Sequence, residues 1–451
     1  MKVIVLGLNH AGTVATRTLK RLDKNVQVTA YERNDVISFL GCGIALWVKN
    51  EVKDPKGLFY ASPELLKSEG IDVKDNHEWV GIDKENKTVS VKNLKTGEIF
   101  EDKYDKLIVA SGSWPICPPI PGINLDNIQI CKNYYQAQEI KAANENKQLN
   151  NIVIIGAGYI GVELVDAFVS AGKNVVLIDV ADRIMPAYYD KDTTDVVEDL
   201  MRKNGVTIAL NQKVIEFKGN EKVQFVVTDK GQYEVDYVVF SMGIKAETAL
   251  LKNVIDTTDK GVIKTNKYMQ TSDQDIYAIG DCAEVESAIL KENMQIALAT
   301  TAVRSGIIAA INIIKNNSLP QMGFTGANAI CVFDYNMASV GFSVEMCKKL
   351  NLEYETILFT DNDRPEFMST CTPVNIRLIW NKKTRKIIGS QIYSKANHTE
   401  MIHMLSLAIQ KELTIDELPL VDMFFLPHYN KPYNFVTLAA LEALGLNYFK
   451  N

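Results

Sequence analysis

The chain has 451 residues, 47% of them hydrophobic and 23% charged, the balance of an ordinary globular protein long enough for about two to four domains. Its net charge is -6 and it carries no long basic run, so nucleic acid and anionic membrane surfaces are not expected partners. The seven cysteines are odd in number, widely spaced and form no C-x-x-C, which argues against a disulfide framework and against a zinc or other metal site.

Met1-Lys2 leads straight into the apolar run Val3–Leu6, which Gly7 ends. That run is too short for a signal-peptide core, and no apolar stretch reaches the roughly 18 residues of a membrane span, so a cytoplasmic protein is expected. Residues 2–6 read as a strand, 11–22 as a helix and 26–31 as a second strand. Between the first two lies Gly7-Leu8-Asn9-His10-Ala11-Gly12, placed where a G-x-G-x-x-G belongs, with Asn9 in place of the second glycine. Gly7 permits the turn, Gly12 lets helix meet strand, and backbone N–H groups at the helix start can hold a pyrophosphate. Glu32, at the end of the second strand, suits a ribose diol. A βα turn that binds nothing is the plainer alternative. His10 stands at the positive helix end, which should lower its pKa and leave a neutral imidazole able to exchange a proton.

Cys42 follows, in Ser38-Phe39-Leu40-Gly41-Cys42-Gly43-Ile44. The next cysteine is Cys117, so no local disulfide can form. By spacing alone Cys42 reads more readily as a structural thiol in a glycine-rich turn than as a reactive one. The other cysteines are expected to be mostly buried and inert. A β-rich stretch runs over 77–110, with a turn at Thr96-Gly97, and a proline-rich segment (Pro115, Pro118, Pro119, Pro121) marks a domain crossing.

The plan then repeats. Residues 151–155 read as a strand, 159–171 as a helix and 174–178 as a strand, around the complete fingerprint Gly156-Ala157-Gly158-Tyr159-Ile160-Gly161. Asp179 ends the last strand, and a carboxylate there favours a free ribose 2′-hydroxyl, hence NADH over NADPH; Arg183 nearby pulls the other way. A strand at 236–241 and Gly243 precede a second crossing, and an apolar strand runs into Gly280-Asp281. The stretch 320–451 has no nucleotide motif and reads as α+β, with a helix at 399–411. The expected fold class is α/β: two Rossmann-like dinucleotide-binding domains plus a C-terminal α+β domain, which the resemblance given next makes a dimerisation domain. The expected boundaries are 1–115 with 246–319 for a discontinuous first dinucleotide-binding domain, 116–245 for a second and 320–451 for the third; the same resemblance makes the first the FAD-binding and the second the NADH-binding domain.

Together these motifs resemble the two-dinucleotide-binding flavoprotein disulfide reductases. Ser38–Ile44 is most similar to the branch of NADH oxidases, NADH peroxidases and coenzyme A disulfide reductases, and the resemblance spans essentially the whole chain. It implies FAD on the first fingerprint and NADH on the second. It implies that Asp281 binds the flavin ribityl chain and that Ala110-Ser111-Gly112-Ser113 covers the flavin. Val80, Lys132, the run Ala297-Leu298-Ala299-Thr300 and Arg33 beside Glu32 match flavin-side positions. Tyr159, Ile160, Glu163, Tyr188 and Gly243 match the NADH side, with Tyr159 as a gate. Val421–Pro427 is similar to the dimerisation segment of the branch, from which Phe425 would reach the flavin of the partner subunit.

In that branch His10 lies near a single redox cysteine, here Cys42, which can cycle between thiolate and sulfenic acid. Arg364-Pro365-Glu366-Phe367-Met368 looks most like the water-forming oxidases. The implied function is an FAD-dependent NADH oxidase that reduces dioxygen to water, as a homodimer or a tetramer. NADH peroxidase, with hydrogen peroxide as oxidant, and coenzyme A disulfide reductase, which Tyr429 and Tyr433 keep open, are the alternatives within the branch. A redox-sensing NADH-binding module is the alternative of a different class.

Overall fold

A computed structural model describes residues 1–446; the end of the expected third domain, 447–451, lies outside the described residues. Internal contacts divide the chain into two compact units. The first comprises Met1–Pro118, Ile130–Ala142 and Gly243–Phe324; the second comprises Pro119–Gln129, Ala143–Met242 and Thr325 onward.

The first unit is built on a five-stranded sheet in the order Ile276–Ala278, Lys106–Val109, Lys2–Leu6, Gln27–Glu32, Asp72–Asp75, with all neighbours parallel. Val3, Ile4, Val5 and Leu6 are wholly buried because both faces of a parallel sheet are covered, so this strand shows no alternation. Helices His10–Leu22 and Ala299–Ile314 pack together. A side chain at Gly306 would place its Cβ 2.6 Å from Ala11 O, and the glycine is what lets the helices close. The β-rich stretch contains an antiparallel insert of His77–Asp83, Thr88–Asn93 and Ile99–Lys103.

The second unit repeats the scheme. Its sheet runs Thr207–Ala209, Asn174–Ile178, Asn151–Ile155, Tyr237–Phe240, Ile128–Ile130, and its antiparallel insert is Val214–Gly219, Val223–Thr228, Gln232–Glu234. It also holds an antiparallel five-stranded sheet, in the order Asn328–Val332, Tyr335–Gly341, Ile387–Ser394, Pro373–Asn381, Tyr354–Asn362. Helices Met401–Gln410 and Phe435–Ala443 pack on this sheet. The fold class is the one expected: α/β with two Rossmann-like sheets and an α+β C-terminal part. Element ends differ from the sequence reading by one or two residues, as at the helix expected over 399–411.

The cysteines correct one expectation. Cys131, Cys282 and Cys347 are buried, but Cys117 and Cys331 are exposed and Cys371 is half-buried, so only half of the other thiols are interior groups. The apolar pattern around Cys331 belongs to a strand at a sheet edge, where alternate residues face outward. Among the described residues no helix is long and apolar enough to cross a membrane, and no group of three or more His, Cys, Asp or Glu could hold a metal ion.

Candidate active site

The first fingerprint is a turn that only glycine can make. Gly7 has φ +102°, and a Cβ there would sit 2.4 Å from Ala110 O. At Gly12 a Cβ would sit 1.8 Å from Gly7 O, so the helix His10–Leu22 starts hard against the turn. Asn9 is its N-cap but makes no side-chain cap bond, and the first turn holds no acid. The N–H groups of Asn9 to Ala11 are therefore set up for an anion. Glu32, 8% exposed, is fixed beside them: Oε2 accepts from Leu8 N at 2.8 Å, and Oε1 accepts from Asn34 N at 3.0 Å. The guanidinium of Arg33 lies 5.0 Å over the Trp114 ring.

Three distant segments meet next to this turn. Ser113 Oγ donates to Asp281 Oδ2 at 2.7 Å and accepts from Lys132 Nζ at 3.2 Å, and Lys132 and Asp281 form an ion pair at 4.0 Å. Ser111 brings its hydroxyl beside the Cys282 thiol, and Gly112 faces open space at φ +71°. The run Ala297–Thr300 forms the start of the helix Ala299–Ile314, with Leu298 as an N-cap that lacks a side-chain bond. Val80 lies at a bulge in the strand His77–Asp83. Two uncapped helix starts, a fixed carboxylate and an open glycine turn are the donor and acceptor set that a flavin dinucleotide requires.

Cys42 is exposed, in the single 3-10 turn Gly41–Gly43 that leads into the helix Ile44–Val48. The segment 58–61 ties this loop down. Leu40 N donates to Leu58 O at 2.7 Å, Phe39 bridges to Phe59, and Ser38 Oγ exchanges bonds with Ala61 O (2.7 Å) and Ala61 N (2.8 Å). Ser38 N reaches Leu8 O at 2.8 Å, which joins the loop to the fingerprint. A Cβ at Gly43 would meet Leu58 Cδ2 at 2.3 Å, so this glycine makes room for a leucine.

His10 faces the same segment. Its Nδ1 is 3.2 Å from the Tyr60 hydroxyl, and the two rings stack with centroids 5.8 Å apart. Burial lowers the imidazole pKa, Lys132 lowers it further, and Asp281 opposes them. The direction is the expected one, but burial is the leading cause where the helix end was expected to be.

In the second unit Gly156 (φ +110°) and Gly161 repeat the geometry of Gly7 and Gly12, with Ser241 O in the place of Ala110 O. A Cβ at Gly158 would enter open space, where protein packing makes no demand and a pyrophosphate would pass. Asp179 is held by two backbone donors, Ala157 N at 2.5 Å and Ala181 N at 2.7 Å. The buried Arg183 turns away to an exposed partner, Glu345, at 2.7 Å, and to a bond with Pro186 O. The Tyr159 hydroxyl meets Tyr189 OH at 2.9 Å and donates to Asn328 Oδ1, and its ring stands edge-on to Tyr188 at 4.7 Å. Burial, then Asp166, pushes Glu163 up to about 7. Ile160 is exposed on the same helix. Gly243 belongs to the first unit, where its carbonyl accepts from Ile116 N. Phe425 is exposed between Phe424 and Leu426, with Tyr429 and Tyr433 also exposed.

Residues 1–306 match the model for pyridine nucleotide-disulphide oxidoreductases, and residues 327–432 match the dimerisation domain of the same proteins. The chain belongs to the pyridine nucleotide-disulphide oxidoreductase family. Within it, this oxidoreductase is 43% identical to an NADH oxidase of Enterococcus faecalis, over 98% of this chain and 99% of that one. It is similar to the water-forming NADH oxidase of Lactobacillus brevis solved with NADH bound, with 40% identity, a TM-score of 0.94 and coverage of 99% and 98%. It is also similar to an NAD-dependent persulfide reductase from A. fulgidus, with 28% identity, a TM-score of 0.94 and coverage of 99% and 83%.

Sequence reasoning missed Tyr60, Tyr189, Asn328 and Glu345 of this oxidoreductase. Each acts on a candidate residue across a long stretch of chain, and none lies in a motif. Only the adjacent pair Tyr188-Tyr189 carried a signal, two bulky rings in the loop after Asp179.

Proposed function

We propose that the chain is an FAD-dependent NADH oxidase that reduces dioxygen to water, with His10 and Cys42 as its reacting side chains. The observation that carries this reading is a single exposed cysteine in the loop Ser38–Ile44, bonded to the first of two dinucleotide turns. Bound FAD supplies two-electron transfer between the nicotinamide and the oxidant. Gly7, Asn9, Ala11 and Gly12 hold its pyrophosphate and Glu32, steadied by Leu8 N–H, its ribose, with Arg33 alongside. Asp281, Lys132, Val80, the turn Ala110–Ser113 and the helix start at Ala297–Thr300 line the rest. Gly156, Gly158 and Gly161 hold the NADH pyrophosphate and Asp179 the ribose hydroxyls. Ile160, Glu163, Tyr188 and Gly243 line the nicotinamide pocket, and Tyr159 covers it. The domains run 1–115 with 246–319, 116–245, and 320 to the end. The enzyme works in the cytoplasm as a homodimer in which Phe425 serves the partner's flavin site.

His10, kept neutral by its setting, moves the proton. The Cys42 thiolate attacks hydrogen peroxide; the S–O bond forms as the O–O bond breaks, and the departing hydroxide leaves as water with a proton relayed by His10, which regains one from solvent and stays neutral. The sulfur is then a sulfenic acid. Two electrons and a proton from a second NADH split the S–O bond, release the second water and restore the thiolate. The bound carboxylate of Asp179 repels a 2′-phosphate, which supports NADH as donor.

The test is stoichiometry in a closed oxygen electrode with late catalase. Two NADH consumed per dioxygen, with no oxygen returned, is the expected result. One per dioxygen with oxygen returned would remove Cys42 from the reaction. No oxygen uptake would overturn the oxidase and make peroxide or a disulfide the oxidant.

A further inference from the structure

The segment Leu58–Ala61 touches both reacting residues by separate routes. Leu58, Phe59 and Ala61 hold the Cys42 loop, and Tyr60 turns to His10. We propose that Tyr60 is the positioning residue of the acid–base site: its hydroxyl donates to His10 Nδ1 and holds the imidazole as the Nε2–H tautomer. This rests on the reading that His10 exchanges the proton.

The polarity of the bond follows from the two groups. A phenol oxygen delocalises its lone pair into the ring and is a good donor but a poor acceptor, whereas a neutral imidazole nitrogen is a good acceptor. Partial desolvation pushes the Tyr60 phenol up to about 12, so it keeps its proton throughout the working range. Thr13 is the other hydrogen-bonding neighbour of the phenol, and its own proton goes to Leu8 O at 2.8 Å. Of the two acceptors within reach of Tyr60, the imidazole nitrogen is the more basic. The near-parallel rings, 12° apart, fix the plane of the imidazole as well as its tautomer. The charged groups that bear on His10 are Asp281 and Lys132, of opposite sign. Their effects oppose, which leaves the neutral hydrogen bond to choose between the ring nitrogens.

The consequence is a division of labour on one ring. Nδ1 is occupied, so the proton that moves is the one on Nε2. Because Tyr60 shares its segment with the residues that anchor Ser38, Phe39 and Leu40, the proton donor and the cysteine loop are set by a single piece of chain.

The test is long-range proton–nitrogen NMR of full-length protein labelled with 15N-histidine, together with Tyr60→Phe. The chain has five histidines, and His10→Gln assigns the signal. We expect wild-type His10 to show the Nε2–H pattern at neutral pH. Tyr60→Phe, which keeps the stacked ring, should give a tautomer mixture and move the His10 titration upward, because the lost bond favoured the neutral form. It should also slow peroxide-dependent NADH oxidation about two- to tenfold, the worth of one neutral hydrogen bond, through kcat with KM for NADH unchanged. An Nδ1–H pattern in the wild type, or an unchanged pattern in Tyr60→Phe, overturns the proposal. If His10→Gln leaves peroxide turnover intact, the acid–base reading of His10 fails instead, and the tautomer result stands apart from it.

Discussion

Asp179 Oδ2 accepts the Ala157 backbone N–H at 2.5 Å, inside the turn of the second fingerprint. Glu32 and Leu8 stand in the same relation in the first fingerprint, at 2.8 Å. In each copy the acid that would take the ribose is locked to the turn that would take the pyrophosphate, so the two contacts are set as one unit.

This lock predicts the nucleotide preference. Arg183 is engaged by Glu345 and Pro186 O, so it does not offset the Asp179 charge as the sequence alone allowed. Asp179→Ala should raise the ratio of kcat/KM for NADPH to that for NADH by at least about tenfold, because a like-charge repulsion is removed. Initial rates with both nucleotides check this. An unchanged ratio would take Asp179 out of nucleotide selection.

Cys42→Ser should still oxidise NADH but should release hydrogen peroxide, since serine cannot form the sulfenic acid. A peroxide-sensitive dye and the oxygen electrode measure this together. Continued water formation at two NADH per dioxygen would show that the sulfur is not used.

Asn328 Oδ1 accepts from Tyr159, from Tyr189 at 3.3 Å and from Ser339 at 3.0 Å. Asn328→Ala leaves those buried hydroxyls short of an acceptor, at a cost of about 1–3 kcal/mol. We expect a lower melting temperature, and a KM for NADH that rises more than kcat falls, because Tyr159 loses its anchor. A variant with wild-type melting and KM would make this network incidental.

Glu163 gives a pH signature. Burial raises its folded pKa to about 7, from an unfolded value near 4.5. Between those values the folded protein binds the proton and the unfolded chain does not. Stability from this group is therefore full below about 4.5 and is lost as pH rises towards 7. The loss is on the order of 2–3 kcal/mol. Glu163→Gln should flatten that part of the stability profile, measured by urea unfolding at intervals from pH 4.5 to 8. An identical slope in the variant would assign the pH dependence to other groups.

Much of the fold was legible because its signals are local. The strands Lys2–Leu6 and Asn151–Ile155 are continuous apolar runs, and each ends in a glycine whose positive φ the turn requires. Helix periodicity, the acids Glu32 and Asp179 and the Gly-Asp at 280–281 follow at fixed offsets, so a chain read alone announces two dinucleotide turns. Spacing alone left Cys42 reading as a structural thiol, and only the resemblance of Ser38–Ile44 to a known motif singled it out.

The tertiary structure decided what those residues do to one another. Lys132, Ser113 and Asp281 come from three separated segments and meet only when the first sheet closes. No periodicity encodes that Arg183 turns to Glu345, or that burial more than the helix end sets the proton affinity of His10. The loop around Tyr60 carries no pattern because its role depends on what it packs against. Local sequence determines backbone shape, since sterics and hydrogen bonding act over a few residues. Charge state, tautomer and selectivity depend on desolvation and on partners brought from far along the chain, and these exist only in the folded molecule.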